Sequence, residues 1–323
     1  MSEAQSGHIV LAAYQPNQKM LERQLQTLMK QTLSDWSCEI GIDGTDPDAR
    51  DRITALVAHD DRFSVSMFEE RRGFYRNFER LLERVPRNVA WVALADQDDD
   101  WFPEKLARLV PRLEQSSLVF GQAYVVENDN ESGRPPLAER HVGSLAATMI
   151  DNQVTGSLSV LRRELLDVAL PFPAATDVAF HDHWLGICAL VSDGVTSYPD
   201  AVQNYIQHSA NVIGEEKDLG LVARVGTLGS LAGRSLAQKL NYLSVHRWGW
   251  RVGIAKSILQ QASALRPHDR WLLERYALNR LSIAYLCSTV GCIMRRDVPM
   301  LRAFALILGA AHAPRVKVPR AQG

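Results

Sequence analysis

The chain has 323 residues, of which 46% are hydrophobic, so it can bury one large core or two modest ones and is not a disordered protein. Its net charge of −1 hides two oppositely charged regions. Residues 1–223 carry 20 basic and 34 acidic side chains, whereas residues 224–323 carry 16 basic and 3 acidic ones. This asymmetry predicts two regions with different partners.

Cysteine usage and apolar runs bear on location. The four cysteines form no C-x-x-C pair, and the first residues lack the basic-then-apolar order of a secretion signal. We therefore expect reduced thiols in a cytoplasmic protein. The longest nearly unbroken apolar stretch, residues 303–313, is about half of what a membrane span needs, so we expect any membrane contact to lie at the surface.

Strands and helices alternate over the first hundred residues. Apolar or alternating runs predict strands at residues 8–13, 38–42, 63–67 and 89–95, and helical spacing of apolar residues predicts a helix after each of the first three. This order predicts a mostly parallel sheet covered on both faces. The glycine fingerprint of dinucleotide sites is absent after the first strand.

Carboxylates follow two of these strands. Asp96 and Asp98 come directly after the uniformly apolar run 89–95, where their mutual repulsion is best relieved by a divalent cation. An acidic loop that caps the next helix is the alternative, and we favour it for Asp100. Asp43 ends the second strand and is placed to bind a nucleotide, although a simple Asp-Gly turn fits it equally well.

Several short motifs occur in a fixed order from residue 8 to about residue 214. They are Y-x-P at 14–16, Q-T at 31–32, D-G-T-D at 43–46, G-x-x-x-N-F-E at 73–79, D-Q-D-D at 96–99 with Trp101, T-G-S at 155–157, R-R-E-L at 162–165, L-P-F-P at 170–173, H-D-H-W at 181–184 and Y-x-Q-H-S-x-N at 205–211. This series resembles the inverting family-2 glycosyltransferases with the GT-A fold, in particular their bacterial polysaccharide branch.

The resemblance implies an α/β, Rossmann-like GT-A domain and a reaction. A hexosyl or deoxyhexosyl group would pass from a nucleotide-diphosphate sugar to a hydroxyl of a glycan or lipid-linked acceptor, in surface polysaccharide synthesis. Mn²⁺ or Mg²⁺ would neutralise the departing diphosphate. Asp96 and Asp98 would hold the cation, and His208 matches a position where several relatives place a third metal ligand or a diphosphate ligand.

The same resemblance assigns the donor site. Tyr14, Pro16, Asp43, Asn77 and Asp96 match nucleotide-sugar-binding positions. The sequence departs from the family at two places. Ile42 replaces the first of two acidic residues, which weakens any choice between uridine and thymidine nucleotides. Arg71-Arg72-Gly73 stands where the family usually has Asn-x-Gly. One of these arginines is a candidate diphosphate contact, and a solvated surface pair is the alternative.

Inversion requires a base opposite the leaving group, and a carboxylate is the usual choice. Asp182 matches the base of the family in residue type and context, before Trp184 and an apolar helix. Its alternative role is to cap that helix. His181 and His183 flank it and could orient the carboxylate or a substrate, but we favour structural roles for both.

Beyond about residue 214 the resemblance fades, and residues 218–313 read as helices throughout. We therefore predict a catalytic domain at 1–214 and a basic helical region at 215–323. An anionic membrane surface, a homo-oligomer contact and a cap with solvated arginines are three open roles for the helices. The location would then be the cytoplasm, with or without peripheral attachment to the inner face of the plasma membrane, and we expect no nucleic-acid partner. The rival function is a non-catalytic nucleotide-sugar or polysaccharide binding module.

Overall fold

A computed structural model of the protein describes residues 6–127, 136–176, 179–207 and 235–313. The chain divides into two compact units. The first unit takes Met1–Val142, Val154–Pro171 and Ser192–Gly214, and the second takes Gly143–Gln153, Phe172–Val191 and Glu215–Gly323. The second unit also includes two earlier segments, which the sequence alone assigned to the first domain.

The first unit contains the sheet and its helices. Its strands are β1 (Gly7–Ala13), β2 (Trp36–Asp43), β3 (Phe63–Phe68), β4 (Trp91–Ala95), β5 (Asp100–Trp101), β6 (Leu118–Glu127), β7 (Leu137–Ala138), β8 (Ser159–Arg162) and β9 (Val195–Gln207). Its helices are α1 (Gln18–Met29), α2 (Pro47–Val57), α3 (Gly73–Leu82), α4 (Lys105–Leu109) and α6 (Leu166–Ala169).

The strands of the first unit form one sheet in the order β3-β2-β1-β4-β8-β6-β9-β5, with β7 paired to β6. As predicted, β1 to β4 are parallel neighbours. The sheet is mixed, however, because β8 runs antiparallel to both β4 and β6. The parallel half places the carboxyl ends of β1, β2 and β4 at one edge, which is where open α/β sheets bind ligands.

The buried core of the first unit holds the strands and helices in this arrangement. Every residue of β4 is buried, as expected for a strand covered on both faces. Gly41 of β2 admits the side chain of Leu81, because a Cβ at position 41 would lie 2.6 Å from Leu81 Cδ2. This close approach seats α3 directly on β2. Asn17 and Asp46 begin α1 and α2 by accepting hydrogen bonds from backbone N–H groups of the first turn.

The second unit is helical over its described residues. It contains α5 (Leu145–Ile150), α7 (His181–Val191), α8 (Leu236–Tyr242), α9 (Gly249–Gln261), α10 (Pro267–Ala277), α11 (Ile283–Met294) and α12 (Met300–His312), with a π-helical turn, Leu243–Trp248, between α8 and α9. This confirms the predicted helical C-terminal region. None of the described helices is long and apolar enough to cross a membrane.

Two kinds of contact stabilise the second unit. Apolar residues of α5, α11 and α12, among them Ile150, Cys292 and Leu306, form a buried cluster. Arg251 of α9 then closes the end of α5, because its guanidinium donates to the carbonyl oxygens of Met149 (3.0 Å) and Ile150 (3.3 Å). These last-turn carbonyls have no partner within their own helix, so the arginine satisfies them. Burial lowers the pKa of Arg251 to about 10.

Candidate active site

The carboxyl ends of β1 and β4 are joined by one side chain from the acidic motif. Gln97 accepts a hydrogen bond from the backbone N–H of Tyr14 (2.8 Å) and donates one to the carbonyl oxygen of Tyr14 (3.2 Å). These two hydrogen bonds resemble the backbone pairing of neighbouring strands and continue it just beyond the sheet. They fix the loop after β1, which contains Pro16, beside Asp96 and Asp98. Sequence reasoning gave Gln97 no role.

Two predicted donor-binding residues stack on each other at this edge. The guanidinium of Arg71 lies 4.1 Å from the centre of the Tyr14 ring, and Tyr14 is 36% exposed. A guanidinium over an aromatic face is a favourable cation–π contact. Arg72, by contrast, forms an exposed ion pair with Glu70 at 2.8 Å, and pairs of this kind contribute little to stability.

Asp43 lies at the same edge but is turned inward, with 4% of its surface exposed. Its carboxylate accepts hydrogen bonds from the backbone N–H groups of Arg72 and Gly73, both at 2.8 Å. It also accepts one from the guanidinium of Arg80 at 2.7 Å. Gly73 has φ +78°, which L side chains rarely adopt, so glycine is needed where the chain enters α3. Asp43 therefore anchors the start of α3.

Asn77 and Arg80 complete this anchor from α3. Asn77 is 1% exposed, donates to the carbonyl oxygen of Gly41 (3.0 Å) and accepts from Arg80 Nε (2.9 Å). The guanidinium of Arg80 also lies 3.7 Å from the centre of the Phe68 ring. Burial lowers the pKa of Arg80, and the charge of Asp43 opposes that shift. The structure thus places Asn77 behind the predicted donor site, where it supports Asp43.

The acidic motif separates into exposed and buried carboxylates. Asp96, Asp98 and Asp100 are half-buried, whereas Asp99 is 1% exposed. Asp100 accepts a hydrogen bond from Asn204 Nδ2 at 3.0 Å, alongside the pairing of β5 with β9. The expectation that Asp100 caps the next helix is therefore wrong. That helix, α4, begins at Lys105 with Glu104 at its N-cap, since the chain first forms β5.

A buried lysine lies behind the motif. Lys105 is fully buried, its ammonium donates to Gln203 Oε1 (2.7 Å) and to the carbonyl oxygen of Ser157, and it lies 3.3 Å from the centre of the Trp101 ring. Burial is the main cause that raises the pKa of Asp99 to about 6, and the charge of Lys105 opposes the shift. Burial likewise lowers the pKa of Lys105, and the charge of Asp99 counteracts it.

The carboxylates of the acidic motif can be compared with the ligands that a divalent cation needs. Within the described ranges, no group of three or more His, Cys, Asp and Glu side chains could hold a metal ion. The predicted third ligand, His208, lies outside the described residues. Two half-buried carboxylates suit Mg²⁺ or Mn²⁺ when substrate phosphates supply further ligands. Asp96 and Asp98 fit that requirement in chemistry and exposure.

Asp182 lies in the second unit, in the first turn of α7. Its Oδ1 accepts from Asn152 Nδ2 (3.2 Å) and from the backbone N–H of His183 (2.6 Å), and the residue is half-buried. The positive end of a helix dipole favours a charged carboxylate at this position. The sequence motifs predicted no role for Asn152, because it is 30 residues from Asp182 in the chain and belongs to none of them.

The two histidines beside Asp182 are buried, and burial lowers the pKa of each to about 3. His183 Nδ1 is 3.1 Å from the indole nitrogen of Trp250, which can only donate, so the ring proton lies on Nε2 and is donated to the carbonyl oxygen of Thr148 (2.8 Å). His183 is therefore a neutral structural residue near neutral pH, as expected.

Sequence similarity to known proteins identifies the family of the chain. The profile of the family described as Glycosyl transferase family 2 matches residues 8–168, which contain the sheet edge and the acidic motif. The chain belongs to this family. No curated protein sequence matches the chain significantly.

Solved structures of other glycosyltransferases share the GT-A fold of this family-2 chain. One is S. aureus TarS 1-349 in complex with UDP-GlcNAc, at 16% identity and a TM-score of 0.56, covering 94% of this chain and 84% of that one. Another is the mannosyltransferase PcManGT from Pyrobaculum calidifontis in complex with GDP-Man and Mn²⁺, at 14% identity and a TM-score of 0.51, covering 97% and 88%. At these identities the likeness concerns the fold.

Proposed function

We propose that this glycosyltransferase moves a hexosyl or deoxyhexosyl group from a nucleotide-diphosphate sugar to a hydroxyl of a glycan or lipid-linked acceptor, with inversion, in the synthesis of a surface polysaccharide. The observation that carries the proposal is the carboxyl edge of the sheet. There the Tyr14–Arg71 stack, the Gln97 clamp and the half-buried Asp96 and Asp98 follow parallel strands. UDP-GlcNAc and GDP-Man are the donors bound by the two structural neighbours.

The proposed roles follow from the side chains. The exposed ring of Tyr14 offers a face on which a nucleobase can stack, and Arg71 brings positive charge to the same place. Asp43, held by Arg80, keeps the entry to α3 fixed at the position that we assign to the base. Asp96 and Asp98 would hold Mn²⁺ or Mg²⁺, which when bound neutralises negative charge on the departing diphosphate.

Asp182 is the proposed general base. A carboxylate that accepts one proton from the acceptor hydroxyl increases the nucleophilicity of that oxygen as it attacks the sugar. Asn152 and the backbone of His183 bind one oxygen of Asp182 and so orient the carboxylate. The neighbouring histidines are poor candidates for the base, because burial disfavours their charged form.

The test is donor hydrolysis and transfer with a panel of uridine, guanosine and thymidine diphosphate sugars, each with Mn²⁺, with Mg²⁺ and with chelator. Asp98→Asn removes a charge at nearly constant volume, so we expect it to abolish transfer while its circular dichroism and melting temperature stay close to those of the wild type. Asp48→Asn, an exposed aspartate in the first turn of α2, is the matched control and should keep wild-type turnover.

Two outcomes would overturn parts of this proposal. Full activity in chelator or in Asp98→Asn would refute metal dependence. Tight binding of a donor without turnover on any acceptor tested would favour the non-catalytic binding module, and Asp182→Asn would then change nothing measurable.

A further inference from the structure

The exposed face of α11 is apolar along its whole length. Ile283, Cys287, Val290 and Met294 recur at helical spacing on that face, and Ile283 and Met294 are 82% and 79% exposed. No charged residue occurs from 283 to 294. Single exposed apolar side chains are ordinary, but a continuous row of them indicates an interaction surface. We call these four residues the α11 stripe.

The apolar surface continues beyond α11. At the start of α12, Met300, Leu301 and Phe304 are 71%, 38% and 54% exposed. The opposite face of α11 is already used, because Tyr285, Thr289 and Cys292 are buried in the second unit. Packing inside the described part of this unit therefore explains one side of the helix and does not explain the stripe.

Cations surround the stripe. Arg280 precedes α11, Arg295 and Arg296 follow it, and all three are exposed. Arg295 is ion-paired with Asp297 at 2.9 Å, so Arg280 and Arg296 carry most of the positive charge beside the stripe. Residues 235–313 together carry 11 basic and 3 acidic side chains. Apolar residues along one face, with basic residues beside them, are the pattern of helices that lie in the plane of a membrane interface. A helix of this length is too short to span a bilayer, so it would lie on it.

A cleft adjoins the stripe within the same unit. It has a volume of about 860 Å³ and is lined by Cys287 and Arg295 of α11 and by Trp271 of α10, among other residues. Trp271 is 39% exposed. Indole side chains favour the headgroup level of bilayers, and a lipid headgroup would find arginine and indole donors there.

From these observations we propose that the α11 stripe and the exposed start of α12 bind an anionic lipid surface. A second copy of the chain is a poorer partner for the same face. It would carry the same arginines, and a symmetric contact would bring like charges together. A bilayer containing anionic lipid instead offers complementary charge and apolar volume. The binding depends on this surface alone and not on the transfer reaction.

Cys287 allows a direct test in the full chain. All four cysteines lie within the described residues, and Cys38, Cys188 and Cys292 are buried whereas Cys287 is exposed. An environment-sensitive maleimide dye should therefore label Cys287 selectively. We expect its emission to shift to the blue with vesicles of phosphatidylcholine and phosphatidylglycerol, and to shift less with phosphatidylcholine alone or at high salt. All measurements omit the sugar donor.

A label placed elsewhere gives the control for this measurement. Val142 of the first unit is 41% exposed, close to the 47% of Val290. In Cys287→Ser/Val142→Cys the dye should show no shift on the same vesicles. An equal shift at both sites would mean nonspecific adsorption and would overturn the assignment to the stripe.

Vesicle sedimentation of charge variants supplies the second test. We expect Ile283→Glu/Met294→Glu to reduce the partition coefficient at least tenfold, and Val290→Glu to reduce it clearly, while Val142→Glu leaves it unchanged. Arg280→Gln/Arg296→Gln should reduce it by about fivefold for each cation removed at low salt. Failure of the full chain to bind anionic vesicles would refute the proposal. A dimer in light scattering that Val290→Glu dissociates, without vesicle binding, would identify a second copy as the partner.

Discussion

Replacing Lys105 by methionine tests whether the buried polar cluster behind the acidic motif holds that motif in place. Methionine keeps most of the length of the side chain and removes its charge. Asp99 would lose the ammonium that opposes the burial of its carboxylate, and Gln203 and the carbonyl of Ser157 would each lose a donor. A buried acceptor that loses its donor costs about 1–3 kcal/mol, and Lys105→Met leaves two such acceptors beside a less compensated carboxylate, so we expect a loss of about 3–5 kcal/mol at neutral pH.

The loss should depend on pH. In the wild type the pKa of Asp99 is raised to about 6, above the value of about 3.9 expected in the unfolded chain. The folded state therefore binds this proton more tightly. Its contribution to stability is fully present below about pH 4 and is lost as the pH rises through about 6. Without Lys105 the pKa of Asp99 should rise further, so Lys105→Met should be less destabilised at pH 5 than at pH 8.

Urea unfolding at both pH values measures this effect, with Lys19→Met as the control for an exposed lysine. We expect the control to stay within about 0.5 kcal/mol of the wild type. A loss below about 1 kcal/mol for Lys105→Met, or an equal loss at pH 5 and pH 8, would refute the reasoning that the ammonium neutralises a buried carboxylate.

Three further predictions concern single side chains. Asp182→Asn should lower kcat by about 10²- to 10⁴-fold and leave the KM for the donor unchanged, because the lost group acts on the acceptor hydroxyl. Tyr14→Ala should raise the donor KM about tenfold, since a stacked base contributes about 1–3 kcal/mol. Acidification should destabilise the second unit: the pKa of His183 is about 3 when folded and about 6.5 when unfolded, so stability present above pH 6.5 is lost as pH falls toward 3. Thermal unfolding between pH 7 and pH 4 measures this loss of stability.

Each of these predictions has a matched comparison. Unchanged kcat in Asp182→Asn would leave that residue a purely structural role in the first turn of α7. Tyr14→Phe keeps the ring and should keep the donor KM, so a large change in Tyr14→Phe would argue against stacking. His183→Gln cannot take up the proton, so its stability should fall less steeply with acid than that of the wild type. Identical slopes would contradict the neutral buried histidine.

Local sequence patterns were sufficient to predict the parallel half of the sheet and the edge at which we propose that the donor binds. Alternating and uniformly apolar runs located β1 to β4, because side-chain periodicity directly reflects which faces are buried. The position of Tyr14, Asp43 and Asp96 after three parallel strands then placed them at one edge, since parallel strands end on the same side. The order of motifs supplied the family, which the profile match at residues 8–168 confirms.

The contacts of individual polar groups depend on long-range packing and could not be predicted from local patterns. Asp98 and Asp99 are neighbours in the sequence, yet Asp99 is buried while Asp98 is half-buried, because β5, which follows them, pairs with a strand about a hundred residues away. Arg80 reaches Asp43 across 37 positions, and Trp250 fixes the tautomer of His183 across 67. Local patterns cannot encode such pairings. Burial and its effect on pKa arise when distant segments pack together and exclude water.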